Sequence, residues 1–128
     1  MLKILVIEDN EDNREILRNQ LGRLGYEIVE ATDGLEGLKQ AEKENPDMMI
    51  VDIMLPGGMD GREVVRMLRA ESKTKETPIL ALTVLFQKDE VQSCLDAGCN
   101  EVLSRPINLP QLKEKLDKLS QLVDWQKT

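Results

Sequence analysis

The chain has 128 residues, 41% hydrophobic and 32% charged, with a formal net charge of −7. That length suits one domain with one core, and the acidic balance argues against a nucleic-acid surface or an anionic membrane. Histidine is absent, which excludes Ser-His-Asp and Cys-His catalytic sets and His-based zinc or iron sites; any metal must be held by oxygen ligands, favouring magnesium, calcium or manganese.

The first predicted strand is Lys3 to Ile7. Its apolar run, Ile4 to Ile7, is too short for a signal peptide or a membrane span, so a cytoplasmic protein is expected. A helix follows from about Glu11 to Leu24, with Ile16, Leu17, Leu21 and Leu24 on its apolar face and Gly25 as its stop. Glu11 and Asp12 suit the positive end of its dipole. Strand two, Glu27 to Ala31, is short and mixed, as an edge strand would be. The second helix covers about Leu35 to Glu44, with Leu35, Leu38 and Ala41 in register. Strand three, Met48 to Ile53, is bounded by Pro46 and by Pro56-Gly57-Gly58. The third helix, about Arg62 to Ala70, buries Val64, Val65 and Leu68. Strand four is Ile79 to Leu82, the fourth helix about Lys88 to Ala97 with Gly98 after it, and strand five Glu101 to Leu103. The last helix begins near Pro110, allowed in a first turn, and carries Leu112, Leu116, Leu119 and Leu122. With Tyr26, Phe86 and Trp125 the only aromatics, the core must be aliphatic. Cys94 and Cys99, spaced C-x4-C, match no common zinc or redox motif and read as two small buried residues.

Strict alternation of strand and helix predicts an α/β fold, an open doubly wound sheet with right-handed crossovers. The apolar runs of strands one, three and four suit parallel strands covered on both faces. Ligands in such folds bind beyond the carboxyl ends of the strands, where the topology switches direction. The residues at those ends are polar: Glu8 and Asp9 after strand one, Asp52 in strand three, Thr83 after strand four and Arg105 after strand five. Carboxylates gathered at one edge repel each other, and a hard divalent cation is their natural complement. Each residue alone has a plainer reading, as a helix-start acid, a strand end or a surface charge; their joint placement is what points to a site.

With these residues in place, "VIEDN" (6–10), "VDIMLPGGMDG" (51–61), "ALT" (81–83) and "RPI" (105–107) make the chain resemble the receiver domain of two-component response regulators. The resemblance implies a flavodoxin-like five-stranded sheet in the order 2-1-3-4-5 with five helices, spanning 1–122 as a receiver domain, with 123–128 as a short C-terminal tail. It implies that Asp52 accepts a phosphoryl group from a histidine kinase or histidine phosphotransfer protein, with Mg2+ as cofactor. Asp9 and Asp52 match direct metal ligands, Glu8 a ligand acting mostly through water, and the backbone carbonyl of Met54 the third protein ligand. Thr83 matches the hydroxyl that bonds a phosphoryl oxygen, and Arg105 stands at the position of a lysine that contacts the phosphoryl group. The Arg105-Pro106 peptide is expected to be cis. Output is expected through protein–protein binding on the face of helix four, strand five and helix five, with no DNA-binding or enzymatic domain following.

The chain departs from the family pattern in several places. Arg105 keeps the lysine's charge but carries a planar fork with longer reach. Val102 stands where an aromatic switch residue is usual, and Gly57-Gly58 gives the loop after Asp52 an extra glycine. Val84 is larger than the residue usual beside the threonine, and Leu85 and Phe86 are either an apolar partner contact or a cover over the site. These departures keep a second reading open, a phosphorylation-independent pseudo-receiver acting as an interaction module. An aspartate-nucleophile phosphatase is disfavoured, because Met54 occupies the position of its second acid; at most slow self-dephosphorylation is expected.

Overall fold

The structure, a computed structural model, describes residues 1–55, 59–84 and 87–127, the last four of these as backbone only. Ten elements alternate along it: β1 (Lys3–Ile7), α1 (Glu11–Arg23), β2 (Glu27–Ala31), α2 (Gly34–Glu44), β3 (Met48–Asp52), α3 (Gly61–Ala70), β4 (Ile79–Thr83), α4 (Lys88–Ala97), β5 (Glu101–Ser104) and α5 (Leu109–Lys127). The strands form one parallel sheet in the order β2-β1-β3-β4-β5. This is the flavodoxin-like arrangement, with the direction of winding reversing between β1 and β3.

Successive strand side chains point to opposite faces, so each central strand feeds two cores. Leu5, Ile7, Met49, Val51, Ile79 and Ala81 pack under α2, α3 and α4, against Ala41, Val64, Val65, Leu68, Cys94 and Ala97. Ile4, Val6, Met48, Ile50, Leu80 and Leu82 pack under α1 and α5, against Leu17, Leu21, Leu112, Leu116, Leu119 and Val123. Burial on both faces explains why these strands read as continuous apolar runs. Side-chain caps start four of the helices: Asn10 accepts from the Asn13 amide, Asp33 from that of Glu36, Asp60 from those of Arg62 and Glu63, and Asn108 from that of Gln111. Each such cap contributes about 1 kcal/mol.

Helix rotation differs from the sequence reading in three places. Ile16 is 50% exposed, because α1 packs along the Leu17–Leu21 row and Ile16 lies off it. Leu35 is also exposed, since α2 faces the sheet with Gly34, Gly37 and Ala41. A Cβ at Gly37 would sit 2.5 Å from Cδ1 of Ile7, so the small residues let this helix approach β1 closely. In α5, Leu122 is exposed and Val123 is buried, and the helix continues through the stretch read as a tail. Cys94 and Cys99 are both buried and unpaired, as expected, and burial pushes the Cys99 thiol up to about 12. No helix among the described residues is long and apolar enough to cross a membrane.

At the amino end of the sheet, Arg69 ties three connections together. Its guanidinium donates to the carbonyls of Thr74 (2.9 Å), Thr77 (2.6 Å) and Gly98 (2.9 Å) and to Oδ1 of Asn100 (2.9 Å). That Asn100 oxygen also accepts the Ile79 amide at 2.8 Å, fixing the entry to β4. A planar fork can serve acceptors in several directions at once, which an ammonium cannot. Arg69→Ala is expected to lower unfolding stability by about 2–3 kcal/mol, read as a shifted urea midpoint with unchanged m, and Arg69→Lys to recover only part of the loss.

Candidate functional site

At the carboxyl end of the sheet, register brings the acids together. Ile7 lies opposite Val51, so Glu8 and Asp52, the next residues, emerge side by side. Glu8 (1% exposed) and Asp52 (6%) are buried, and Asp9 faces solvent. One carboxylate oxygen from each of Glu8, Asp9 and Asp52 lies within 4.8 Å of the others. Hard divalent ions bind oxygens at about 2.1–2.5 Å, so ligands on opposite sides of one ion stand about 4–5 Å apart. The separation and the all-oxygen donor set therefore fit Mg2+ or a similar ion.

Asp52 is held by its own loop. The Met54 amide donates to its Oδ1 at 3.1 Å. Behind it, Gly61 opens α3 so close that a Cβ there would lie 2.3 Å from the Asp52 carbonyl oxygen. The Gly61 amide donates to the Ile53 carbonyl at 2.9 Å, locking α3 to the end of β3. Burial, then the neighbouring Glu8 carboxylate, push Asp52 up to about 7, against the opposing pull of the Met54 amide and the Arg105 guanidinium.

Glu8 has the most donors. Its Oε1 accepts from the Asn10 amide and from Asn13 Nδ2, both at 3.2 Å, and its Oε2 pairs with Arg105 Nη2. The same Arg105 nitrogen is 4.0 Å from Asp52 Oδ1. The Arg105-Pro106 peptide is cis, as expected, but the side chain closes on Glu8 and stands off Asp52. Arg14 anchors the Glu8 carbonyl with Nη1 at 2.7 Å. Thr83 is buried at the end of β4, opposite Ser104, and its carbonyl accepts the Arg105 amide at 2.9 Å.

All the expected polar residues thus stand at one end of the sheet, with Met54 beside them. Asn13, Arg14 and Gly61 were not foreseen. Asn13 sits one helical turn beyond the Asn10 cap, a spacing that could have placed it over the acid pair. Val102 is buried among Cys94, Ala97 and Cys99. The extra glycine at Gly57-Gly58, and Leu85 and Phe86, lie outside the described residues. Beside the acids, Asn13, Ile16, Leu17, Val84, Arg105 and Ile107 line a groove of about 370 Å³. Ile16 and Val84 are both at least half exposed there.

A doubly wound sheet with three acids and a cation at its switch point defines a class of phosphate- or metal-binding α/β domain. Comparison with known proteins specifies it. The family model of the response regulator receiver domain matches residues 4–117. The sensor protein EvgS of Escherichia coli is 38% identical over 121 residues, which cover 94% of this chain but 10% of EvgS. This chain therefore spans about a tenth of that relative's length. The polar-differentiation response regulator DivK of Brucella abortus is 31% identical over 113 residues, 88% of this chain and 91% of DivK. The receiver domain of a Pseudomonas aeruginosa sensor histidine kinase superposes with a TM-score of 0.84 at 30% identity, covering 96% of this chain and 98% of that one; its active-site cleft holds a magnesium ion. The chain belongs to the response regulator receiver family of two-component signalling. Receiver domains are signalling phosphoacceptors rather than enzymes that turn over outside substrates, and they bind Mg2+ at an acidic site.

An acid whose pKa is raised on folding destabilises the fold as it ionises. Between its ordinary value of 3.8 and about 7, the folded state of metal-free protein binds the Asp52 proton and the unfolded state does not, so stability falls as pH rises. Asp52→Asn is expected to stabilise metal-free protein by roughly 2–4 kcal/mol at pH 8. In denaturant titrations across pH, that gain should be small near pH 4, grow through the interval and level off above about 7.

Proposed function

We propose that the chain is a phosphoacceptor phosphorylated on Asp52 by a phosphohistidine donor, a histidine kinase or histidine phosphotransfer protein, with output through binding to another protein. The observation that supports this most is Asp52 itself. It is a buried carboxylate at a strand end, with metal-compatible oxygens and a guanidinium close by and a buried threonine at the end of the neighbouring strand. A carboxylate oxygen of Asp52 attacks the donor's phosphorus; the P–N bond breaks, its electron pair stays on the imidazole nitrogen, and an acyl phosphate forms. Asp9, Asp52 and the Met54 carbonyl would hold Mg2+, with Glu8 acting through water. The bound ion would offset the charge of the transferring group. The Thr83 hydroxyl donates to a phosphoryl oxygen, and Arg105 supplies positive charge. Met54, two residues past the nucleophile, offers neither acid nor base, so turnover is limited to slow hydrolysis of phospho-Asp52.

The donor docks in the groove beside Arg105. The exposed Ile16 and Val84 line this groove with Arg105 and suit the apolar flank of a helix carrying the phosphohistidine. Output is assigned to the face of α4, β5 and α5, where Leu95 and Leu122 are exposed. A second reading, the pseudo-receiver, draws support from Arg105 closing on Glu8 and from Val102 buried where a switch aromatic is usual.

One experiment separates the two readings. Acetyl phosphate with Mg2+ is expected to add one phosphoryl group by intact mass, and Asp52→Asn to add none. A wild-type protein that stays unlabelled where a control receiver is labelled would establish the pseudo-receiver. Ile16→Lys is expected to slow transfer from a phosphorylated histidine donor about tenfold or more while leaving acetyl phosphate labelling unchanged.

A further inference from the structure

Asp9 has fewer holds than the other two acids. It faces solvent, and among the described residues no hydrogen bond or ion pair fixes its carboxylate. Its direction is therefore set by the backbone on either side. The Glu8 amide donates to the Ala31 carbonyl at 3.0 Å, and the Glu8 carbonyl accepts from Arg14 Nη1 at 2.7 Å. That carbonyl belongs to the planar Glu8–Asp9 peptide, so the guanidinium fixes the plane from which Asp9 departs. Arg14 is in turn held from outside the site. Its side chain is largely buried, its Nη2 pairs with Glu11, and its Nε stands 3.5 Å from Oε1 of Glu30 on β2, an edge strand. Arg18 takes both Glu30 oxygens at 2.8 Å, which makes Glu30 a fixed anchor. Meeting one carbonyl and two carboxylates at once needs a planar fork.

We infer that Arg14 is a positioning residue for the metal site: it orients the Glu8–Asp9 peptide so that Asp9 is aimed at the ion, and Glu30 holds Arg14 in that pose. The inference deepens the phosphoacceptor reading and rests on its Mg2+ site. Charge alone predicts the opposite effect of losing Arg14. A cation near three carboxylates competes with a metal, so its removal would tighten binding. Orientation predicts weaker binding, because partners that aim a ligand typically carry about 10- to 100-fold in metal affinity. The sign of the change separates the two.

Calorimetric titration of metal-free protein with Mg2+ reads that sign. Arg14→Gln is expected to weaken Mg2+ binding about tenfold or more. Arg14→Lys keeps the charge and loses the fork, so it should fall between wild type and Arg14→Gln, and it carries the test if Arg14→Gln does not fold. Glu30→Gln should weaken binding by a smaller factor and add no further loss to Arg14→Gln, since Glu30 acts through Arg14. Ca2+ tolerates irregular geometry where Mg2+ demands an octahedron, so its affinity should fall less. Arg69→Lys, at the far end of the sheet, should lower stability and leave Mg2+ affinity unchanged. Binding that is unchanged or tighter without Arg14, lost equally for Ca2+ and Mg2+, or weakened as much by Arg69→Lys overturns the inference and leaves the phosphoacceptor reading standing. A wild-type protein that binds no Mg2+ overturns both.

Discussion

The repulsion between Glu8 and Asp52 is the constraint around which this end of the molecule is arranged. Parallel pairing of β1 with β3 forces the two carboxylates side by side, and the helices above and below deny them water. A fold selected for stability alone would not place them so, because ionising a buried acid beside another acid is unfavourable. Every donor nearby answers that charge: the Asn10 and Met54 amides, the Asn13 side chain and the Arg105 guanidinium. The compensation is incomplete, as the raised pKa of Asp52 records. Incomplete compensation is what gives a divalent ion or a change of covalent state something to act on.

The sheet was legible in the sequence because its signals are redundant. Apolar runs, glycine stops and strict alternation each point to the same five parallel strands, and the fold rule then gathers Glu8, Asp9, Asp52, Thr83 and Arg105 at one end. Helix rotation was less legible. The Ile16 and Leu35 assignments assumed that the largest apolar residues face inward, whereas α1 and α2 turn by the fit of neighbouring surfaces. In α2 the fit is made by glycines, which carry no hydrophobic signal at all. Gly61 is similar: only three-dimensional contact with the Asp52 carbonyl gives it meaning. The choice of Glu8 over Asp52 as the partner of Arg105 depends on side-chain reach, which one-dimensional spacing does not contain.

The departures from the family pattern are connected in space. Arg105 brings longer reach to the acid cluster, and Val102, three residues earlier on β5, is packed inward and is not free to turn. Asp52 and α4 are joined by another set of contacts. Gly61 rests on the Asp52 carbonyl, and the next residue, Arg62, bonds Glu90 at 3.2 Å and Ser93 at 3.1 Å on α4. These contacts link the end of β3 to α4 without an aromatic residue on β5.

The Arg69 cluster pins α4 at its carboxyl end. Its guanidinium grips the Gly98 carbonyl at the helix's carboxyl terminus, while Gln87 at the other end makes no side-chain cap bond. Ten residues of helix are about 15 Å long. Any tilt of α4 about Gly98 would sweep a larger arc at Lys88 than near the pin, with the Arg62 contacts to Glu90 and Ser93 as the restraint along the way. The far end of the sheet thus sets which end of α4 is the more firmly held.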